Sequence, residues 1–92
     1  MSILVRFAPD GLTAERYDSV SAGMQESGDW PPEGLLTHVC FGESGSLRVS
    51  EIWDSLEQMQ AFGEKLGPVL AEAGIEMSSE PEVFPIHNIE QY

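Results

Sequence analysis

Two short runs, Leu35–Phe41 (LLTHVCF) and Ser46–Asp54 (SLRVSEIWD), are separated only by Gly42-Glu43-Ser44-Gly45. Both are rich in β-branched and aromatic residues, and so short a glycine-bearing connection joins antiparallel neighbours. They therefore read as a β-hairpin. With Ser44-Gly45 at the centre of the turn, Glu43 faces Ser46. That register sets His38 opposite Glu51, Leu36 opposite Trp53 and Cys40 opposite Val49. Successive strand side chains point to opposite faces. These six thus share one face, and Thr37, Val39, Phe41, Ser50 and Ile52 share the other.

The hairpin runs directly into a change of period. Up to Asp54 the chain alternates; beyond it Met59, Phe62, Leu66, Val69 and Ala73 recur every three or four residues, the spacing of one helix face. Asp54-x-x-Glu57 and Ser55-x-x-Gln58 both fit a capping box at the start of this helix. Gly67-Pro68 is expected to break or kink it, and Gly74 to end it. A similar unit precedes the hairpin. Ser2–Ala8 reads as a strand closed by Pro9-Asp10-Gly11. Thr13 then caps a helix with Glu15 in its first turn, Leu12 stapling onto Tyr17, and an apolar stripe of Tyr17, Val20 and Met24. This helix frays by Ser27-Gly28, and "GDWPPEG" (28–34) is a loop that folds Trp30 either over the core edge or over a ligand. Glu82–Glu90 reads as a last strand, placed at a sheet edge by Pro85, which has no N–H for the ladder.

The order is β-α-β-β-α-β, the split βαβ or ferredoxin-like arrangement of class α+β. It predicts a four-stranded antiparallel sheet with the first and third strands central. All 92 residues form one domain (1–92). Helices cover one sheet face only. The face with Leu36, His38, Cys40, Val49, Glu51 and Trp53 is expected to be the uncovered one, and its apolar content then calls for a second copy of the chain.

Charge narrows the partners. Sixteen acidic residues against four basic ones leave a net charge of −12, which repels phosphate backbones and anionic lipid alike. Neither nucleic acid nor membrane is an expected partner. The opening "MSILVRFAPDG" has too short an apolar run for a secretory signal. The single cysteine, Cys40, has no internal disulfide partner. A cytoplasmic setting is the expectation.

Glu51-Ile52-Trp53-Asp54-Ser55, followed by a helix with an aromatic residue nine positions after the tryptophan, resembles the dimeric α+β barrel superfamily, and more narrowly its antibiotic-biosynthesis-monooxygenase type. Gly34-Leu35-Leu36-x-His38-Val39, Leu66-Gly67-Pro68-x-Leu70, Gly74-Ile75 and Pro81-Glu82-Val83-Phe84-Pro85-x-His87-Asn88 are similar to a small uncharacterised actinobacterial branch of it. The resemblance implies two sheets packed face to face as a homodimer. It also implies a cavity for a small apolar or aromatic compound, which some members oxidise without metal or flavin. Trp53 matches the strand-end tryptophan that lines the cavity. Haem-degrading members often carry a histidine where this chain has Phe62, so no haem ligand and no cofactor is expected here.

Within that frame, His38 and Glu51 are the candidate catalytic pair, an imidazole facing a carboxylate that can act as a general base. Trp53, Leu36, Cys40, Val49 and His87 are the candidate substrate-binding residues. In a face-to-face dimer His87 could approach the partner's second strand, but no local spacing supports a metal site. Gly42, Ser50 and Gly63 leave room for a ligand. A filled barrel, with the chain as a non-catalytic structural or accessory dimer, is the alternative.

Overall fold

The computed structural model describes residues 2–92. Strand β1 (Ile3–Phe7), helix α1 (Ala14–Ser27), strands β2 (Leu35–Phe41) and β3 (Arg48–Trp53), helix α2 (Leu56–Glu72) and strand β4 (Glu82–Pro85) follow in the expected order. The sheet is antiparallel with order β2-β3-β1-β4. This is the ferredoxin-like βαββαβ arrangement of class α+β, with β1 and β3 central.

Local chemistry sets the element ends. The Thr13 hydroxyl accepts the Arg16 N–H at 3.2 Å. The Ser44 hydroxyl, from the β2–β3 turn, accepts the Ala14 N–H at 2.9 Å. The Leu12 carbonyl accepts the N–H groups of Gly45 and Leu47 at 2.9 and 3.2 Å. The hairpin turn is thereby stitched to the start of α1. At α2, Ser55 is the cap and not Asp54: its hydroxyl accepts the Gln58 N–H at 3.2 Å and donates to the Gln58 side chain at 3.0 Å. Gly74, at φ 76°, ends α2. The Gly74 N–H reaches the Ala71 carbonyl at 3.1 Å and the Ile75 N–H reaches the Leu70 carbonyl at 2.9 Å, the paired bonds of a Schellman stop. Ile75 is buried beside Leu70 as that motif favours.

Pro68 does not break α2, which runs through it. Two features make this tolerable. Gly67 has no Cβ to clash with the proline ring, and the carbonyl left without a donor belongs to Glu64, an exposed residue that water can serve. The last strand stops at Pro85, not Glu90. Pro85 pairs with Ile3 at the end of the ladder and has no N–H to carry it further.

The larger correction concerns sidedness. Both helices pack on the face of Val5, Val49, Glu51 and Trp53, where Met24 of α1 and Phe62 of α2 join Val5 and Trp53 in the core. His38, Cys40, Val49, Glu51 and Trp53 therefore lie beneath the helices and not on an uncovered face. Leu36 is separated from them. The β2–β3 register shifts between Leu35 and Thr37, so Leu35, not Leu36, pairs with Trp53. Leu35 packs against the core and Leu36 is 58% exposed. Alternation sorts residues into two faces without saying which one the helices take, and one inserted residue re-aims its neighbours.

If the proline is a tolerated fault, Pro68→Ala should restore the missing helix bond and raise the unfolding free energy by about 1–3 kcal/mol in urea denaturation. An unchanged midpoint would mean that α2 has relaxed fully around the ring.

Candidate functional site

The site grows from the centre of the hairpin. Glu51 and Trp53 are two residues apart on β3 and so share a face, which the helices bury. The indole Nε1–H donates to Glu51 Oε1 at 3.0 Å. Across the hairpin, His38 pairs with Glu51 as the register required. His38 Nδ1 lies 2.6 Å from the second carboxylate oxygen, Oε2. The other ring nitrogen, Nε2, lies 2.6 Å from the hydroxyl of Tyr17 on α1. The phenol and imidazole planes are nearly parallel, 14° apart, which brings the hydroxyl toward the in-plane lone pair of Nε2.

Donor inventory assigns the protons. An indole can only donate and an ionised carboxylate can only accept. Nδ1–H therefore donates to Glu51, which leaves Nε2 of a neutral ring to accept from the Tyr17 hydroxyl. With Glu51 ionised and the ring neutral, the chain of bonds runs from Tyr17 to His38 to Glu51, with Trp53 donating from the other side. Among the described residues no buried side-chain nitrogen or oxygen lacks a partner, as a buried charge demands.

Trp30 completes the surround. The loop after α1 turns its indole inward, edge-on to His38 at 4.9 Å between ring centroids and to Phe62 at 6.1 Å. Tyr17, Met24, Trp30, His38, Val49 and Phe62 help to enclose a chamber of about 100 Å³ with almost wholly apolar walls. A wider cleft of about 400 Å³ adjoins it, with Trp53, Met59 and Gly63 among its walls and the 77–81 segment at its edge. Phe7, Glu51, Phe62, Leu66, Leu70 and Met77 border both, so the carboxylate stands between two spaces. Both spaces lie between the sheet and the helices of one protomer. The candidate residues that line them therefore lie beneath the helices and do not look out from the uncovered side of the sheet.

His38, Glu51, Val49 and Trp53 are thus brought together around the chambers. Cys40 shares their face but packs in a neighbouring cluster with Leu12, Leu47 and Ile75. Leu36 is on the outer face, and His87 is exposed beyond the end of β4. Of the three small residues, Gly63 borders the wider cleft, whereas Gly42 is in the turn and Ser50 on the outer face. Among the described residues no three histidine, cysteine or acidic side chains converge as metal ligands would. No helix among them is long and apolar enough to cross a membrane.

Tyr17 was legible only as part of an apolar stripe. Its one signal was chemical: a phenol on a buried helix face needs a partner for its hydroxyl. Nothing in the spacing named a histidine 21 residues later as that partner.

Comparison with known proteins bears on the fold. No protein-family model and no curated protein matches the sequence. Solved structures do. One is a protein of Chloroflexus aurantiacus provisionally assigned as an antibiotic biosynthesis monooxygenase, at TM-score 0.63 and 17% identity over 98% of both chains. Another is SnoaB, a cofactor-independent oxygenase of Streptomyces nogalater, at TM-score 0.63 and 18% identity over 96% of this chain and 93% of that one. A third, from Deinococcus radiodurans and given the same provisional assignment as the first, matches at TM-score 0.60 and 13% identity over 100% and 98%. This chain has their fold.

Burial shapes the titration of two groups near the site. It raises the Tyr17 phenol above its ordinary 10.0, with the charges of Cys40, Glu51 and Asp18 adding in the same direction. It also raises the Cys40 thiol above 9.0, with Asp18 adding. In both cases the folded chain holds a proton that the unfolded chain gives up at lower pH. Their contribution to stability is therefore complete below the ordinary values and is lost as pH climbs through the raised folded ones. In alkaline denaturation Tyr17→Phe should show a shallower loss of stability with pH than the wild type. Parallel curves would mean that the phenol ionises as freely in the folded state as in the unfolded one.

Proposed function

We propose that the chain binds a small apolar or aromatic compound between its sheet and helices and acts on it as a cofactor-independent, monooxygenase-like enzyme. The observation that carries this reading is the His38–Glu51 pair held at 2.6 Å on the wall of an otherwise apolar chamber. Apolar pockets with a few convergent polar groups are where small ligands bind. A carboxylate-backed imidazole is suited to take a proton from one, because Glu51 would neutralise the imidazolium that forms. The anion left on the ligand is the species that dioxygen would meet. Val49 borders the smaller chamber and Trp53 the wider cleft, which supports a ligand-contacting role for each. The fold of SnoaB, described as a cofactor-independent oxygenase, supports the reaction class. The short motifs shared with an actinobacterial branch support a closer kinship there.

We also propose a homodimer, formed through the sheet face that the helices leave uncovered. Leu36, Val39 and Phe84 are 58, 47 and 41% exposed, and by alternation Leu4, Phe41 and Ile52 share the outer face with Val39 and Phe84. Leu36 would then contribute to assembly and not to ligand contact. Cys40 and His87 border neither chamber, and no ligand contact is proposed for them.

Titration with toluene should shift the NMR signals of Tyr17, Trp30 and Phe62 saturably, and Val20→Phe, which fills the chamber from α1, should abolish the shifts in a folded protein. Equal shifts in wild type and variant would remove the chamber as the binding site. Hydroquinones that bind should consume oxygen on an electrode; none doing so would leave a binding protein without the activity. For the dimer, Ile52→Asp should sediment as a folded monomer, whereas Val49→Asp, beneath the helices, should unfold the chain. A stable dimer carrying Ile52→Asp would place the interface elsewhere.

A further inference from the structure

Both nitrogens of the His38 ring are engaged, one by Glu51 and the other by Tyr17, each at 2.6 Å. A ligand in the chamber therefore finds no free lone pair on the imidazole. A proton path to His38 that leaves these two bonds in place runs through the phenol hydroxyl. Tyr17 borders the same small chamber as His38, and its oxygen retains acceptor capacity while its hydrogen is committed to Nε2. We propose that Tyr17 is the group that receives the proton of a neutral ligand, passing its own to His38.

The step balances without any other reagent. The ligand's O–H or C–H bond breaks and its electron pair stays on the ligand. That proton bonds to Tyr17 Oη as the original phenolic proton moves to His38 Nε2. The products are a ligand anion, a neutral Tyr17 and an imidazolium paired with Glu51. No heavy atom has to move, because the same 2.6 Å contact serves with Tyr17 donating before transfer and His38 donating after it. Two features favour a ligand that arrives neutral. A carboxylate ligand would enter apolar walls beside the buried charge of Glu51, with no cation among the residues that border either chamber. The chain as a whole, at −12, also repels anions on approach. Trp30, edge-on to His38, keeps an apolar wall against the ring in which the positive charge forms.

This assignment rests on the chamber being the binding site, and the test separates the two. The probes are 4-nitrophenol, whose anion is coloured, and toluene, which is of similar size and has no acidic proton. In the wild type, bound 4-nitrophenol should show the anion's absorbance together with the ¹⁵N NMR signature of a doubly protonated His38. Tyr17→Phe should retain saturable toluene binding, whatever its affinity, yet give neither signal with 4-nitrophenol. A doubly protonated His38 in Tyr17→Phe, formed with 4-nitrophenol as readily as in the wild type, would show that the phenol is not needed and overturn the role of Tyr17. Binding of 4-nitrophenol to the wild type with His38 still neutral would overturn the relay, whatever the stability of the variant. Failure of both probes to bind would overturn the chamber reading and this one with it.

Discussion

A carboxylate buried in the middle of a sheet governs this structure. Glu51 is 6% exposed, and an ionised side chain at such a position is strongly destabilising unless its oxygens are satisfied. Each oxygen has a nitrogen donor, the Trp53 indole on one and the His38 imidazole on the other. Neither donor is free to be elsewhere. Trp53 reaches the carboxylate because period two puts it on the same face of the same strand, and His38 because the hairpin register sets it opposite. Once His38 is so oriented, its second nitrogen demands a donor, and α1 supplies Tyr17. The buried charge thereby couples strand pairing to helix docking.

The loops serve that coupling. Tyr17 meets His38 only if the start of α1 is held against the hairpin. The Leu12 carbonyl, accepting from Gly45 and Leu47, and the Ser44 hydroxyl, accepting from Ala14, do this. At the other end of α1, Gly28 takes φ 83°, a left-handed turn that glycine adopts without steric cost. The chain then returns Trp30 to the core, where it packs beside His38 and Phe62. The polar chain thus lies between the Trp30 indole and the sheet. Apolar space remains between the helices and the strands because Phe62, Leu66 and Leu70 of α2 line it without filling it.

Such a site is chemically economical. A hydrogen-bonded chain in which every buried polar atom is satisfied stabilises a fold whether or not it performs chemistry. What distinguishes this one is where it lies, along a chamber wall and beside two spaces that share Glu51 as a lining residue, with a helix residue completing a pair formed on the sheet. Proximity to empty volume turns a satisfied network into a candidate reaction site.

Much of this was legible in the residues themselves. The element order, the caps at Thr13 and Ser55, the stop at Gly74 and the pairing of His38 with Glu51 all follow from local rules: turn length, side-chain period and backbone donors close in sequence. The misreadings share a different cause. Which sheet face the helices cover, the bulge that expels Leu36, the continuation of α2 through Pro68 and the approach of Tyr17 to His38 depend on how volumes fit between segments far apart in the chain. Short of the bulge, the sequence alone determined that His38, Cys40, Val49, Glu51 and Trp53 share a face and that His38 lies opposite Glu51 and Cys40 opposite Val49, because those relations are set by periodicity and by the turn. Only tertiary packing decided that this face is the buried one, because burying Trp53 against Phe62 and Met24 is a property of all three elements together and of none by itself.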